Sequence, residues 1–450
     1  MKTPIYDFAR KYADSDPIRM HMPGHKGVPS LLGVESLDIT EIGGADILYD
    51  ARGIIKESRE NASRLFKSGA SFYSTEGSSL SIRAMLYLIL MHAKSEGKRP
   101  LILAARNAHK VFSSASALLD IDIDWILPKS GEGLISCTVE PDRLDLLLSS
   151  YKHEKPTAVY LTSPDYLGNI ADISGIARVC RSHGVLLAVD NAHGAYLAFL
   201  EPSMHPIALG AHVCADSAHK TLPVLTGGGY LHVSKDAPEI FFTHAERAMS
   251  TFASTSPSYL ILQSLDLAND YLDKNYRKDL SAFTKKVDVL KKRLSETGYL
   301  LIGSEPLKLT VSAKSYGYTG SELADILFSH GIICEFSDPD FTVLMMTPES
   351  SEESLERLSE ILLSIEKRVP IDTAMPSVGT VKRVLSPRDA MLSPACEIPI
   401  HKSVGRILAC ESVGCPPAIP IVICGEEISE DSVRIFEYYG IKTVICTEKN

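Results

Sequence analysis

Ala215-Asp216-Ser217-Ala218-His219-Lys220-Thr221 leads, a few residues on, into Gly227-Gly228-Gly229. Upstream, the apolar run Val185-Leu186-Leu187-Ala188-Val189 ends on Asp190. A short, continuous apolar run followed by turn residues reads as a strand buried on both faces, as in parallel sheets covered by helices. In such sheets ligands bind just beyond the carboxyl ends of the strands. Asp190 and the segment Ser217-Ala218-His219-Lys220 both fall there.

The pattern repeats outward from this pair. Residues 54–66 read as an amphipathic helix, 78–92 as a helix opened by Gly77-Ser78-Ser79, and 101–105 as a buried strand. A helix over 111–119, a strand over 158–162 closed by Ser163-Pro164, and a helix over 176–183 closed by Gly184 complete an α/β large domain, residues 51–275, with a mostly parallel sheet. Asn107-Ala108-His109, Thr162-Ser163-Pro164, Asp190-Asn191-Ala192-His193 and Ser217-Ala218-His219-Lys220 all follow strands, so their polar side chains gather at one edge. Residues 1–50 form an irregular arm, turn-rich around Met20-His21-Met22-Pro23-Gly24-His25-Lys26-Gly27. A long helical stretch, 257–297, leads into a small α+β domain, 276–370, with strands at 307–311, 332–336 and 342–346 and helices at 322–329 and 353–367. Beyond the linker 370–380, residues 371–450 make a C-terminal α+β module containing the turn Cys415-Pro416-Pro417-Ala418-Ile419-Pro420.

Composition narrows the function. The net charge of −10 over 450 residues, with no basic block, argues against a phosphate-backbone binder, so no nucleic-acid partner is expected. The longest apolar run, 84–91, is far short of the ~20 residues of a membrane span. The start, Met1-Lys2-Thr3-Pro4-Ile5-Tyr6-Asp7, lacks the apolar core of a signal peptide, and a cytoplasmic location is expected. The nine cysteines include no C-x-x-C pair, and no metal site is expected.

The chemistry follows from the residue types. A pyridoxal 5'-phosphate (PLP) enzyme needs a lysine for the Schiff base and an aspartate on the pyridinium nitrogen. Lys220 and Asp190 supply that pair. Gly77, Ser78 and Ser79 at a helix start, with Ser217 and His219, suit the phosphate. His109, after a strand, could stack on the ring, and His193 could meet the cofactor or the substrate amine. Each residue alone has a plainer reading: a surface lysine, a capping aspartate, a serine N-cap, a structural histidine. Their convergence on one sheet edge outweighs those readings.

These motifs resemble the prokaryotic ornithine/lysine/arginine decarboxylases of PLP fold type I, in a short form without an N-terminal response-regulator-like domain. The resemblance rests on Met22-Pro23-Gly24-His25-Lys26-Gly27, Asp38-Ile39-Thr40-Glu41, Arg106-Asn107-Ala108-His109-Lys110, Asp190-Asn191-Ala192-His193-Gly194, Ser217-Ala218-His219-Lys220-Thr221, Ser254-Thr255-Ser256-Pro257-Ser258-Tyr259 and Val404-Gly405-Arg406-Ile407. It implies Lys220 as Schiff-base lysine, Asp190 as pyridine partner, His109 as ring-stacking residue, and Lys220 or His219 as the source of the returning proton. It counts Thr162 and His193 among the cofactor residues. It brings Ser256 to the cofactor phosphate across a homodimer interface. The implied reaction is decarboxylation of lysine, arginine or ornithine, with Asp165, Glu397 or Glu411 as candidates for reading the substrate's basic end. Asn191, Ala418 and Glu76 depart from the family's usual residues. An aminotransferase, which would need Arg383 or Arg388 on the α-carboxylate, and a non-catalytic PLP-fold binding or regulatory protein stay open as alternatives.

Overall fold

The structure, a computed structural model, describes residues 1–129, 132–377, 382–410, 412–415 and 419–448. The strands of the large domain are β1 Ala70–Ser74, β2 Leu101–Ala105, β3 Asp122–Ile126, β4 Ala158–Thr162, β5 Leu186–Asp190, β6 Val213–Asp216 and β7 Gly229–Val233. The chain divides into two compact units, residues 1–99 with 173–279, and residues 100–172 with 280–450.

In the first unit the strand order is β1-β7-β6-β5. β5 and β6 run parallel, with Asp190 opposite Ala215, while β7 lies antiparallel to both β6 and β1. The helix Gly77–Ser95 packs on β6 and β7 and against the helix Glu239–Phe252. Its residues Leu80, Met85, Leu86, Leu88 and Ile89 are all fully buried. A helix apolar on nearly every side belongs inside a protein, and this one fixes the glycine at its own start.

The N-terminal arm differs from the sequence expectation. Residues Pro4–Asp14 are helical, with Pro4, Ile5 and Ala9 as the buried positions. That stripe is too narrow to announce a helix, and tertiary contact supplies what periodicity does not. Asp266, fully buried on the helix Tyr259–Lys274, accepts from the first-turn N–H groups of Ile5 at 2.8 Å and Tyr6 at 3.0 Å, and from Ser58 Oγ at 2.5 Å. The expected 257–297 helix is two helices, Tyr259–Lys274 and Tyr276–Glu296, separated at Asn275.

In the second unit β4-β2-β3 are all parallel. A separate antiparallel sheet runs in the order Phe336–Ser337, Phe341–Met345, Lys308–Ser312, Leu301–Ile302. The strand expected over 332–336 is confined to Phe336–Ser337. Ile333 is 81% exposed, so this apolar pair is not packed into the sheet. In the C-terminal module Leu408, Ile421, Val422, Ile428, Phe436 and Val444 form a core that also takes in Leu134. Arg106 Nη2 meets Glu426 Oε2 at 2.9 Å with both side chains buried, and the guanidinium lies 5.2 Å from the Trp125 ring centroid. Burial pushes the Arg106 pKa down and the Glu426 pKa up, and each partner's charge opposes its neighbour's shift. Removing either partner would strand a buried charge. Cys415 is described in backbone only, and Pro416, Pro417 and Ala418 of the expected turn lie outside the described residues.

Burial pushes the Asp266 carboxyl up to about 6, against the pull of its hydrogen bonds to Ser58, Tyr6 and Ile5. The unfolded carboxyl titrates at about 3.9, so between those pH values the native state holds a proton that the unfolded state has released. This group's stabilising contribution is therefore complete below about pH 4 and lost as pH rises toward about 6. Asp266→Asn should flatten that part of the stability–pH curve, read by denaturant unfolding at a series of pH values, with little loss at pH 7.

Candidate active site

Asp190 ends β5 and is buried, and its Oδ1 accepts from the Ala192 N–H at 3.1 Å. The Gly194 N–H donates to the Asn191 carbonyl at 2.8 Å, so the chain turns sharply after the strand. His193 rides on that turn, and its Nε2 lies 3.2 Å from Lys220 Nζ. Lys220 comes from the other side, on the short helix Ala218–Thr221 that follows β6. Parallel pairing of β5 with β6 thus sets Asp190 and Lys220 on adjacent strand ends.

The helix Gly77–Ser95 starts at the same edge. Its N-cap, Glu76, makes no side-chain cap; its carboxylate instead accepts from the Ser254 N–H at 2.7 Å. Beyond the Gly77 N–H, the first-turn N–H groups of this 19-residue helix have no side-chain cap and face the strand ends. Ser217 Oγ donates to Ser78 Oγ at 2.8 Å, which leaves the Ser78 proton free to point outward. Ser79 is half-buried on the same turn. Gly77 has φ +66° and its N–H donates to the Gly227 carbonyl at 2.6 Å. These donors fit a phosphate group. Ser256 is exposed, in a segment that this chain's own Glu76 holds through Ser254.

His219 is anchored twice to one carbonyl. Its backbone N–H donates to Gly228 O at 3.2 Å and its ring Nδ1 lies 2.9 Å from the same oxygen. A carbonyl only accepts, so Nδ1 carries the proton and Nε2 is left as an acceptor. Burial pushes the His219 pKa down and the Lys220 charge adds to this, against the Gly228 bond. The ring is therefore neutral at pH 7, with its one N–H already committed.

Behind these residues lies a buried polar cluster absent from the sequence expectations. Asp216 Oδ1 accepts from Asn191 Nδ2 at 2.9 Å and from Cys214 Sγ at 3.2 Å, and Oδ2 lies 2.9 Å from His205 Nε2 and 3.4 Å from His232 Nε2. The ligand atoms of His205, Asp216 and His232 lie close enough together to hold a metal ion. The tautomer argues otherwise. His205 Nδ1 accepts from the Ile207 N–H, so Nε2 carries the hydrogen and points it at Asp216. Burial raises the Asp216 pKa, but the two histidines more than reverse this and hold the carboxyl well below its usual range. A carboxylate at the end of a buried strand, two residues past a cysteine, is the one sequence signal of this cluster.

His109 and Thr162 belong to the second unit. His109 caps the helix Lys110–Leu119, its Nδ1 accepting from the Val111 N–H at 3.2 Å. Thr162 Oγ1, at the end of β4, is buried without a hydrogen-bond partner beside a cavity of about 50 Å³ that Asp165 and Asn169 also line. Of the carboxylates considered for the substrate's basic end, Asp165 is engaged by its own surroundings: it accepts from the N–H groups of Leu167 and Asn169, from Asn169 Nδ2 and from Ser136 Oγ. Glu397 accepts from Thr443 Oγ1 at 2.5 Å on an exposed strand, and Glu411 lies outside the described residues.

Residues 3–302 match the family described as Orn/Lys/Arg decarboxylase, major domain, and the chain belongs to that family. It is 29% identical to the arginine decarboxylase of Halalkalibacterium halodurans, over 96% of this chain and 92% of that protein. It is also 29% identical to the arginine decarboxylase of Bacillus subtilis, again over 96% and 92%. Among solved structures, lysine decarboxylase A from Pseudomonas aeruginosa has a TM-score of 0.82 at 16% identity, over 99% of this chain and 80% of that one. The Francisella novicida lysine decarboxylase has a TM-score of 0.78 at 17% identity, over 99% and 81%. The expected type I α/β fold, with its mostly parallel sheet and smaller α+β parts, is borne out. No described helix is long and apolar enough to cross a membrane.

The glycine run is a steric requirement of this edge. A Cβ on Gly229 would meet the backbone of Asp216 at 2.9 Å and of Gly77 at 3.0 Å, whereas one on Gly24 would meet nothing within 4 Å. Gly229→Ala should cost about 1–3 kcal/mol in denaturant unfolding, and Gly24→Ala should stay within about 0.5 kcal/mol of the unmodified chain.

Proposed function

We propose that the chain is a PLP-dependent decarboxylase of a basic amino acid, acting in the cytoplasm as a homodimer. The observation that carries this reading is the approach of Lys220 Nζ to His193 Nε2 at 3.2 Å beside the buried Asp190 and the uncapped helix start at Gly77. Lys220 would hold the cofactor's aldehyde carbon, Asp190 its ring nitrogen, and Ser78, Ser79 and Ser217 its phosphate, with Ser256 as a further contact from a second subunit. Bound PLP supplies an electron sink for the pair released when a bond to the substrate's α-carbon breaks.

The chain's own groups then have distinct tasks. Asp190 would face the ring nitrogen and support that sink. Decarboxylation replaces CO2 on the α-carbon with a proton. Two groups near that position are candidates to deliver it. The single ring N–H of His219 is spent on Gly228 and its pKa is lowered, so the ammonium of Lys220 is the better donor. The aminotransferase reading loses support, because Arg383 pairs with Asp122 at 3.1 Å and Arg388 donates to the Leu118 carbonyl at 2.9 Å. The relatives named arginine decarboxylase make arginine the first substrate to try.

The dimer is supported by the N-terminal arm. Ile18, Met20, Leu31 and Leu32 are each more than 80% exposed. Apolar exposure on this scale within one short segment marks an interface.

The native protein should take up PLP with an absorbance band at about 420 nm, and Lys220→Ala should lose the band and at least about 10³-fold in rate. It should release CO2 from arginine, lysine or ornithine without a keto acid; turnover that needs a keto acid and releases no CO2 would sink the decarboxylase reading. In light scattering the protein should run at twice its 49.1 kDa chain mass. Leu31→Asp with Leu32→Asp should shift it toward monomer and weaken PLP uptake, and a fully active monomer would overturn the dimer proposal.

A further inference from the structure

Past the last ladder pair of β5 and β6 the two chains separate. The Asn191 N–H still donates to the Ala215 carbonyl at 2.9 Å, and then one chain turns toward His193 and the other toward Lys220. Here Asn191 Nδ2 donates to Asp216 Oδ1 at 2.9 Å. This bond ties the residue after Asp190 to the residue before Ser217. Both side chains are fully buried.

The amide has one way to sit. Asn191 Oδ1 is buried with no partner. Reversing the carboxamide would put that oxygen against a carboxylate. Asp216 in turn is fixed on its other oxygen by the Nε2–H of His205, whose tautomer the Ile207 N–H dictates. His232 reaches toward the same oxygen from β7 while its Nδ1 contacts Ser71 Oγ at 2.8 Å on β1. Asp216 is thus held by groups from several elements and presents a fixed acceptor to Asn191. A buried carboxylate is no gain in stability over an apolar residue of like size, so the direction in which it accepts is what distinguishes it here.

We propose that Asp216 is a positioning residue for the cofactor site, setting through Asn191 the place of Asp190 and His193 relative to Lys220. The inference rests on the reading of this edge as a PLP site. It requires an acceptor at position 216 facing a donor at position 191, or the same pair reversed.

The reversed pair tests it. In Asp216→Asn the Asn191 carboxamide can turn over, so that its oxygen accepts from the amide introduced at position 216 while the oxygen of that amide accepts from His205; both bonds survive and only the carboxylate charge is lost. In Asn191→Asp two carboxylates face each other across the former hydrogen bond, and one must keep a proton. In the double variant, Asn191→Asp with Asp216→Asn, the carboxylate introduced at position 191 accepts from the amide introduced at position 216. The oxygen of that amide accepts from His205, and both bonds are restored, the first with opposite polarity. PLP dissociation constants are measured by absorbance titration of the full-length apo-protein at pH 6 to 9, with thermal unfolding of the same apo-proteins as the folding control. Asn191→Asp should bind PLP on the order of ten-fold more weakly, and Asp216→Asn should stay within about three-fold of the unmodified chain. In Asn191→Asp the loss should grow as pH rises and the shared proton leaves. The double variant should return to within about three-fold of the unmodified chain. If Asp216→Asn fails to fold, Asn191→Asp against the double variant still decides. An Asn191→Asp variant that binds PLP as the unmodified chain does, or a folded double variant no better than Asn191→Asp, would overturn the role of Asp216. An unmodified chain that takes up no PLP would instead sink the cofactor reading itself.

Discussion

The parallel pairing of β5 with β6 is the constraint on which the rest of the site depends. Register places Asp190 opposite Ala215, and every polar contact beyond the strand ends follows from that alignment. The Asn191 N–H reaches the Ala215 carbonyl, the side chains of Asn191 and Asp216 meet, and the loops that diverge afterwards bring His193 to Lys220. A one-residue slip would turn each of these side chains to the opposite face. Leu187, Val189 and Val213 are buried whichever face they take, so the polar contacts at the strand ends, not the apolar residues, mark this register.

That alignment sets a hard packing problem at the third element of the site. The helix Gly77–Ser95 has to bring its uncapped start against β7 and the turn after β6. Only glycine allows it at position 229, where added side-chain volume would collide with the backbone of Asp216 and Gly77. Close approach makes the helix's first-turn N–H groups, the Ser78–Ser217 hydroxyl pair and the His219 ring neighbours, although they come from distant parts of the chain. The same closeness keeps His219 neutral, since burial and the adjacent lysine both act against a charged ring.

How much of this is legible in the sequence depends on whether a residue's role is local. The strands Leu101–Ala105 and Ala158–Thr162 are bounded as their apolar runs predict, because a strand buried on both faces has no polar position to blur its ends. The helix Ile54–Phe66 carries its own amphipathic stripe and is equally plain. The helix Pro4–Asp14 is not visible in the sequence, because a carboxylate far along the chain, that of Asp266, caps its first turn. Ile332 and Ile333 read as strand, yet a β-branched pair says nothing about whether a partner strand extends far enough to cover it. At the site, Lys220, Asp190, Ser217 and His193 stand out because the chemistry needs those residue types at strand ends. Asp216 does not, since a carboxylate before a turn resembles an ordinary solvated one until His205 and His232 are seen beside it. Asp165 shows the converse: its position after a strand suggests a substrate contact, and its oxygens also accept from Leu167 and Asn169 of its own loop and from Ser136, which the sequence does not reveal.

The two carboxylates at this edge differ in what surrounds them, and that difference separates their tasks. Asp190 accepts from the Ala192 backbone at the very end of β5, where the strand opens toward His193 and Lys220. Asp216, one strand over, is enclosed by Cys214, His205, His232 and Asn191, with its pKa held far below the usual range by the imidazoles despite full burial. A charge so enclosed cannot travel to a ligand or exchange a proton near neutral pH. It can only orient what touches it. The group it orients is Asn191, whose neighbour Asp190 is the one that meets the open edge. The edge is therefore built in two layers, Asp190, His193 and Lys220 at the strand ends and the enclosed Asp216 cluster behind them, joined by the Asn191–Asp216 bond.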